Sequence, residues 1–260
     1  MLRISKCFFN PLYHSIMKNL LLNQLLEFVL IHCIAFIGGI LVMRYRWKVN
    51  YTRKINHFFV FFAPYAIKLI FPFQETLLTQ VIIALVGLAT LSIYILPIRQ
   101  NLKIVSTMVA AFDRPEDRPY TLKWLFTQYL ATYVVAIPLW IIFDKMHHQE
   151  AIVIIILINA IGDGLAEPIG ITWGKNKYQV KALFTSNIYT RSIQGSACVF
   201  ITSLIVLCLF SNYFSLAQFL VSLFAVPTVA TLAEAKSPHT WDSPFIFVFT
   251  GVTLLLIYLI

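Results

Sequence analysis

The sequence predicts an all-α, polytopic integral membrane protein, a bundle of about seven or eight transmembrane helices. Three observations predict it. Of the 260 residues, 59% are hydrophobic and only 12% are charged, against roughly 45–50% and 25% in an average soluble domain. Mean hydropathy is +0.79. Apolar runs recur along the whole chain, at about residues 21–43, 58–71, 77–97, 124–143, 151–170, 195–214, 217–233 and 244–260, most of them close to the roughly 20 residues that a span needs. This pattern excludes a disordered chain, a collagen-like fibre, a disulfide-stapled secreted module and a water-soluble enzyme of this size. Eight spans with short loops nearly use up the chain, so one transmembrane domain over residues 1–260 is expected.

Taken in order, residues 1–20 carry Arg3, Lys6 and Lys18 ahead of the first run and read as an interfacial or targeting leader. The second run is short and holds Pro64 and Lys68; it reads as a tilted or broken helix, or as a half-buried interfacial segment. The remaining six runs read as spans. Cys7, Cys33, Cys198 and Cys208 lack any zinc-like spacing, and the last three act as small hydrophobes within apolar runs.

Twenty Lys and Arg against eleven Asp and Glu give a formal charge of +9, which is read as topological; no nucleic-acid partner is expected. Lys and Arg number five in 44–57, none in 72–76, five in 98–123, one in 144–150, four in 171–194, none in 215–216 and one in 234–243. By the positive-inside rule the odd-numbered connections are cytoplasmic. The fifth run then descends toward the cytoplasmic face carrying Asp163 and Glu167. An ionised carboxylate within a span costs roughly 2.5–3.5 kcal/mol on insertion scales, so such residues face a partner or a polar cavity. Gly162 and Gly164 bracket Asp163 and allow close backbone approach, or a break that exposes N–H and C=O groups.

The seventh run delivers Glu234 to the same side, and the loop after it adds Asp242. Nearby connections supply Arg53, Lys54, Lys175, Lys177, Lys181 and Arg191, with His57 at the mouth of the second run. Carboxylates beside cations at a lipid interface point to a magnesium and polyphosphate site, because Mg²⁺ is usually held by one or two carboxylates plus phosphate oxygens. Gly170-Ile171-Thr172-Trp173-Gly174-Lys175-Asn176 is one residue short of a Walker loop and ends in Asn176 where Ser or Thr should bind magnesium. It remains a candidate nest for phosphate through its backbone N–H groups. His147 and His148 with Asp144 and Glu150 read as a solvated loop, His32 as a packed helix residue, and 113–119 as a self-paired charged loop.

On these residues the chain resembles the CTP-dependent polyprenol kinases, the group of phytol and dolichol kinases that is related to phosphatidate cytidylyltransferases. The likeness covers roughly residues 53–244. Its most specific part is Gly162-Asp163-Gly164-Leu165-Ala166-Glu167-Pro168-Ile169-Gly170 with Gly174 and Lys175, similar to the Gly-Asp-x-x-Ala then Gly-x-x-x-Gly pattern of those kinases. Arg191-Ser192-Ile193-Gln194-Gly195-Ser196 stands where they read Lys-Ser-x-Glu-Gly-Ser or Thr, Ala230-Thr231-Leu232-Ala233-Glu234 with Asp242-Ser243 resembles Ala-Thr-x-x-Glu with a later Asp-Asn, and Arg53-Lys54-Ile55-Asn56-His57 matches Arg-Lys-x-x-His. Arg191, Gln194 and Ser243 replace the lysine, glutamate and asparagine of that pattern, and the acid often seen before Arg53 is missing.

The resemblance implies transfer of the γ-phosphoryl group of CTP to an isoprenoid alcohol held in the bilayer. Asp163 and Asp242 would bind Mg²⁺, and Glu167 or Glu234 would accept the alcohol proton. Lys175 and Arg191 would meet phosphate oxygens, with Gly162, Gly164, Gly170, Gly174, Lys177, Ser192 and Gly195 building the phosphate cradle and Arg53, Lys54 and His57 lining its entrance. A cytidylyltransferase that makes a CDP-lipid is the nearest alternative. An ion-coupled transporter, using Asp163 and Glu167 as a relay, is the other. A bacterial inner membrane with the site on its cytoplasmic side is expected.

Overall fold

The computed structural model describes residues 11–260, with side chains from Lys18 onward. Arg3, Lys6 and Cys7 of the expected leader lie outside the described residues. The fold is predominantly helical and divides into two compact units, Met1–Arg114 and Pro115–Ile260. Four helical stretches, Lys18–Tyr45, Thr121–Lys145, Glu150–Trp173 and Leu216–Lys236, are long and apolar enough to cross a membrane, as fits a membrane protein.

In the first unit, α1 (Pro11–Tyr45) runs on without a break from the latter half of the expected leader. It is followed by α2 (Val49–Ile70), α3 (Leu77–Ser92), α4 (Leu96–Asn101) and α5 (Lys103–Ala110). Helix α1 touches α5 through Gly39: a Cβ there would lie 1.7 Å from the Thr107 carbonyl oxygen, so only glycine admits the approach. Helix α2 continues through Pro64 as one helix, and the Thr52 hydroxyl ties it to the Ala111 carbonyl at 2.6 Å. Thr76 and Thr79 cap α3 reciprocally, satisfying two N–H groups that no helical carbonyl reaches. His32 is buried, its Nδ1 donating to the Phe28 carbonyl and its ring packed on Tyr94, which is the packed role read from the sequence.

The second unit holds α6 (Thr121–Lys145), the composite helix α7 (Glu150–Leu157) to α8 (Gly164–Trp173), α9 (Ile193–Leu209), α10 (Leu216–Lys236) and α11 (Asp242–Tyr258). They enclose an apolar core in which Phe143, Ile154, Ile155, Ile158, Val199, Leu207, Ile246 and Leu254 are fully buried. At one end of this bundle Tyr258 stacks on His148 and donates to Glu150 at 3.1 Å, while His148 Nδ1 lies 2.9 Å from the same carboxylate. The pair read as a solvated loop thus packs on the end of α11.

Between α7 and α8, residues Ile158–Asp163 form a π-helical turn, so the stretch bulges without breaking. Pro168, one turn later, lacks the N–H that the Gly164 carbonyl would otherwise accept. The basic connection 171–194 is not a plain loop. Lys177–Lys181 (β1) and Ile188–Ser192 (β2) pair antiparallel, with Tyr178 opposite Arg191 and Val180 opposite Tyr189. This hairpin departs from the all-α expectation. Its residues explain it: Val180 is buried and Tyr178 half-buried while Lys177, Gln179 and Lys181 are exposed, the alternation of a half-buried strand.

Candidate functional site

Strand β2 aims Arg191 inward, toward the C-terminal end of α10 and the first turn of α11. Its Nη2 donates to Asp242 Oδ1 at 2.5 Å, and its Nη1 reaches Ser237 Oγ at 3.1 Å and Glu234 Oε1 at 3.4 Å as well as the Glu234 backbone carbonyl. Ser237 in turn donates to Asp242 at 2.6 Å. Asp163, at the end of the π turn, also acts on Arg191 electrostatically. Asp163, Glu234 and Asp242 are 8%, 4% and 8% exposed; Glu234 and Asp242 bind the predicted cation Arg191 directly, and Asp163 acts on it through its charge. Burial works against the Arg191 charge, yet Asp242 and Glu234 hold its guanidinium above its ordinary range.

Two buried carboxylates, Glu234 and Asp242, share the one guanidinium of Arg191. Glu234 Oε2 is shielded from solvent and has no hydrogen-bond partner. These hard oxygen donors fit a hard divalent cation. Among the described residues no group of three or more His, Cys, Asp or Glu is arranged to cage an ion alone. Two such carboxylates would hold Mg²⁺ only where phosphate oxygens or water complete its shell.

The glycines of the expected phosphate cradle have packing roles. A Cβ on Gly170 would come 2.9 Å from Ser192 Oγ, one on Gly162 3.0 Å from the Val199 Cα, and one on Gly195 2.7 Å from the Ala166 carbonyl oxygen. They let the π turn, α8 and α9 approach backbone to backbone. Ser192 caps α9, accepting the Gly195 N–H at 3.1 Å. Gly195→Ala should lower stability by about 1–3 kcal/mol, since a methyl pressed on a backbone carbonyl forces the helices apart; a melt in detergent checks it, and an unchanged midpoint would refute this packing role. Gly164 is buried at the start of α8.

The nest expected at Gly174-Lys175-Asn176 is already filled. Gln194 Oε1 accepts the N–H groups of Lys175 and Asn176 at 3.1 and 3.3 Å. The Lys175 and Lys177 side chains are exposed. Glu167 is half-buried on α8. Arg53, Lys54 and His57 share about one turn of α2 in the first unit, where Lys54 is buried and His57 packs on Phe58 and Phe61.

Sequence reasoning missed several residues that build the site. His239 lies 3.0 Å from Asp117 through Nε2, stacks flat on Tyr189 at 3.6 Å and donates its backbone N–H to Lys181. Asp117 thus has a partner outside the charged loop 113–119. Tyr189 donates to the Glu116 carbonyl and Trp124 Nε1 to the Leu183 carbonyl, so the hairpin is lashed to the start of α6. Tyr178 shares a 2.6 Å hydrogen bond with Ser196; burial first, and then the Glu234 charge, push its phenol above the ordinary range.

Two cavities adjoin this cluster and share Tyr178 and Ala235. The larger, about 480 Å³, is lined by Lys181 and Lys236 together with Gln179 and Pro238. The smaller, about 320 Å³, lies between α9 and α10. No family model, no curated protein and no solved structure matches the chain.

Proposed function

We propose that the protein is a multi-pass membrane lipid kinase that transfers the γ-phosphoryl group of CTP to the hydroxyl of an isoprenoid alcohol. The observation that carries the reading is the buried Asp163, Glu234, Asp242 and Arg191 cluster beside a lysine-lined cavity at one end of an apolar bundle. Phosphoryl transfer asks a protein mainly for positioning and charge stabilisation, and such a cluster is suited to both. The likeness to polyprenol kinases supports CTP and the alcohol as its substrates.

In this reading the alcohol oxygen attacks the γ-phosphorus. The bond to the β,γ-bridging oxygen breaks, its electron pair leaves with CDP, and the alcohol proton passes to the Glu234 carboxylate, whose Oε2 has a free acceptor site. Lys181 and Lys236 meet the polyphosphate from the larger cavity. Asp163 and Asp242 are the residues that would hold Mg²⁺, which when bound neutralises charge on the phosphates. Arg191 is a positioning residue: bound to Glu234, Ser237 and Asp242, it fixes the acids rather than reaching for substrate. The four long helices, the shorter apolar α3, α9 and α11, and α2 would together make seven or eight spans. The lysine-rich hairpin then lies on the cytoplasmic side, in a bacterial inner membrane.

Purified protein with Mg²⁺, CTP and a panel of isoprenoid alcohols, diacylglycerol and phosphatidate, scored separately for CDP and pyrophosphate, tests the proposal. CDP with a phosphorylated alcohol is the expected result, and chelation of Mg²⁺ should abolish it. Pyrophosphate with a CDP-lipid would replace the reading by cytidylyl transfer. Neither product from folded protein would refute both.

A further inference from the structure

We infer that the tip of the β1–β2 hairpin is a docking surface for anionic lipid head groups, an inference independent of the reaction proposed above. The hairpin leads from Trp173, where one long apolar helical stretch ends, to Ile193, where α9 begins. Its turn lies against the first turn of a second such stretch, α6. There Trp124 Nε1 donates to the Leu183 carbonyl at 2.9 Å, and Lys123 Nζ stands 4.4 Å over the Phe184 ring. A turn tied to the ends of two helices that cross a membrane lies at the depth of the lipid head groups.

The two faces of the hairpin differ. Tyr178, Val180, Tyr189 and Arg191 are buried or half-buried, whereas Lys177, Lys181 and Ile188 are exposed on the other face, with Lys181 directly opposite Ile188. Ile188 is 56% exposed and Phe184, in the turn, 53%. Phe184 has a φ of 64°, a left-handed conformation that bulky residues seldom take. Burial within the protein therefore does not account for these two large apolar side chains, held outward beside Lys123, Lys177 and Lys181.

Charge identifies the partner. Among the described residues no acid pairs with Lys123, Lys177 or Lys181. The acids of this end are engaged elsewhere: Asp117 binds His239, Asp242 binds Arg191, and exposed Glu116 is matched in sign by exposed Arg118 of the same loop. The tip is thus apolar and net positive. An anionic leaflet suits both properties, since apolar side chains enter the acyl boundary while ammonium groups meet head-group phosphates. Arg191 lies on the same strand as Ile188, so docking steadies the strand that feeds the acid cluster, whatever chemistry that cluster performs.

The test compares the full chain in nanodiscs of phosphatidylcholine alone with nanodiscs that also contain phosphatidylglycerol. Hydrogen exchange of the 181–188 amides should slow by about fivefold in the second, the effect of one lysine near an anionic surface. Salt at about 1 M, where the Debye length falls to roughly 3 Å, should reverse the slowing. Phosphatidylglycerol bearing a diazirine should label the same segment on photolysis. Lys123→Glu combined with Phe184→Ser should abolish both the slowing and the labelling; both positions are exposed, and an acid in the first turn of α6 suits the helix dipole. Ile188→Ser alone should weaken both. Equal exchange in the two lipids, or labelling confined to other segments, would overturn the inference. Equal slowing by soluble glycerol phosphate in phosphatidylcholine nanodiscs would overturn the lipid as partner, since the tip would then be reading a free phosphate. None of these measurements uses turnover, so a failure of the kinase reading leaves their outcome unchanged.

Discussion

Replacing Arg191 by methionine should destabilise the protein by about 3–5 kcal/mol and abolish turnover. The side chain is only 13% exposed and binds Asp242 at 2.5 Å and Glu234 at 3.4 Å. Removing one partner of a buried ion pair leaves the other charge without compensation, and that cost is of this size. Arg191→Lys keeps the charge but loses the forked geometry that spans Glu234, Ser237 and Asp242, so it should fall between wild type and Arg191→Met. A triple variant, Arg191→Met with Glu234→Gln and Asp242→Asn, separates structure from chemistry. It removes the cation and the two acids that it binds, so the melting temperature should recover while turnover stays lost. Failure of the melting temperature to fall in Arg191→Met would show that the cluster does not hold the end of the bundle together.

The helical character was legible because it depends on apolar runs long enough to count. Asp163, Glu234, Asp242 and Arg191 were legible too, because charge is conspicuous among apolar residues and four such groups had to find one another. Their mutual arrangement was not. It depends on the hairpin Lys177–Ser192, which turns Arg191 inward, and five-residue strands give a weak signal beside long helices. The alternation of Tyr178 and Val180 with Lys177, Gln179 and Lys181 was present in the sequence but is overshadowed by the charge of its lysines. Close backbone approach is what the sequence predicts at Gly162, which meets the Val199 backbone, while Gly170 and Gly195, expected in a phosphate cradle, meet the Ser192 side chain and the Ala166 carbonyl. Gln194 shows the same limit. It stands where the resembled pattern reads glutamate, and its amide oxygen caps two backbone N–H groups. The partnership of His239 with Asp117 joins residues 122 positions apart, which no local pattern reveals.

Asp163→Asn should lower turnover at least about 100-fold, the scale on which removing one group that stabilises transition-state charge acts, with little change in the fold. Asparagine has nearly the shape of aspartate, so the π turn and its contact at Gly162 with Val199 should persist. The amide is a poorer ligand for a hard dication than the carboxylate. The Mg²⁺ concentration needed for half-maximal activity should therefore rise, while the KM for the alcohol stays near its wild-type value. A structural role alone would show the reverse, a lower melting temperature with an unaltered Mg²⁺ requirement. π-Helical turns often sit at functional sites because the extra residue redirects one side chain without interrupting the helix. Here Asp163 ends the turn and meets the field of Arg191 on a different element. Near-normal turnover of folded Asp163→Asn would remove the residue from the site and leave Glu234 and Asp242 as its remaining acids.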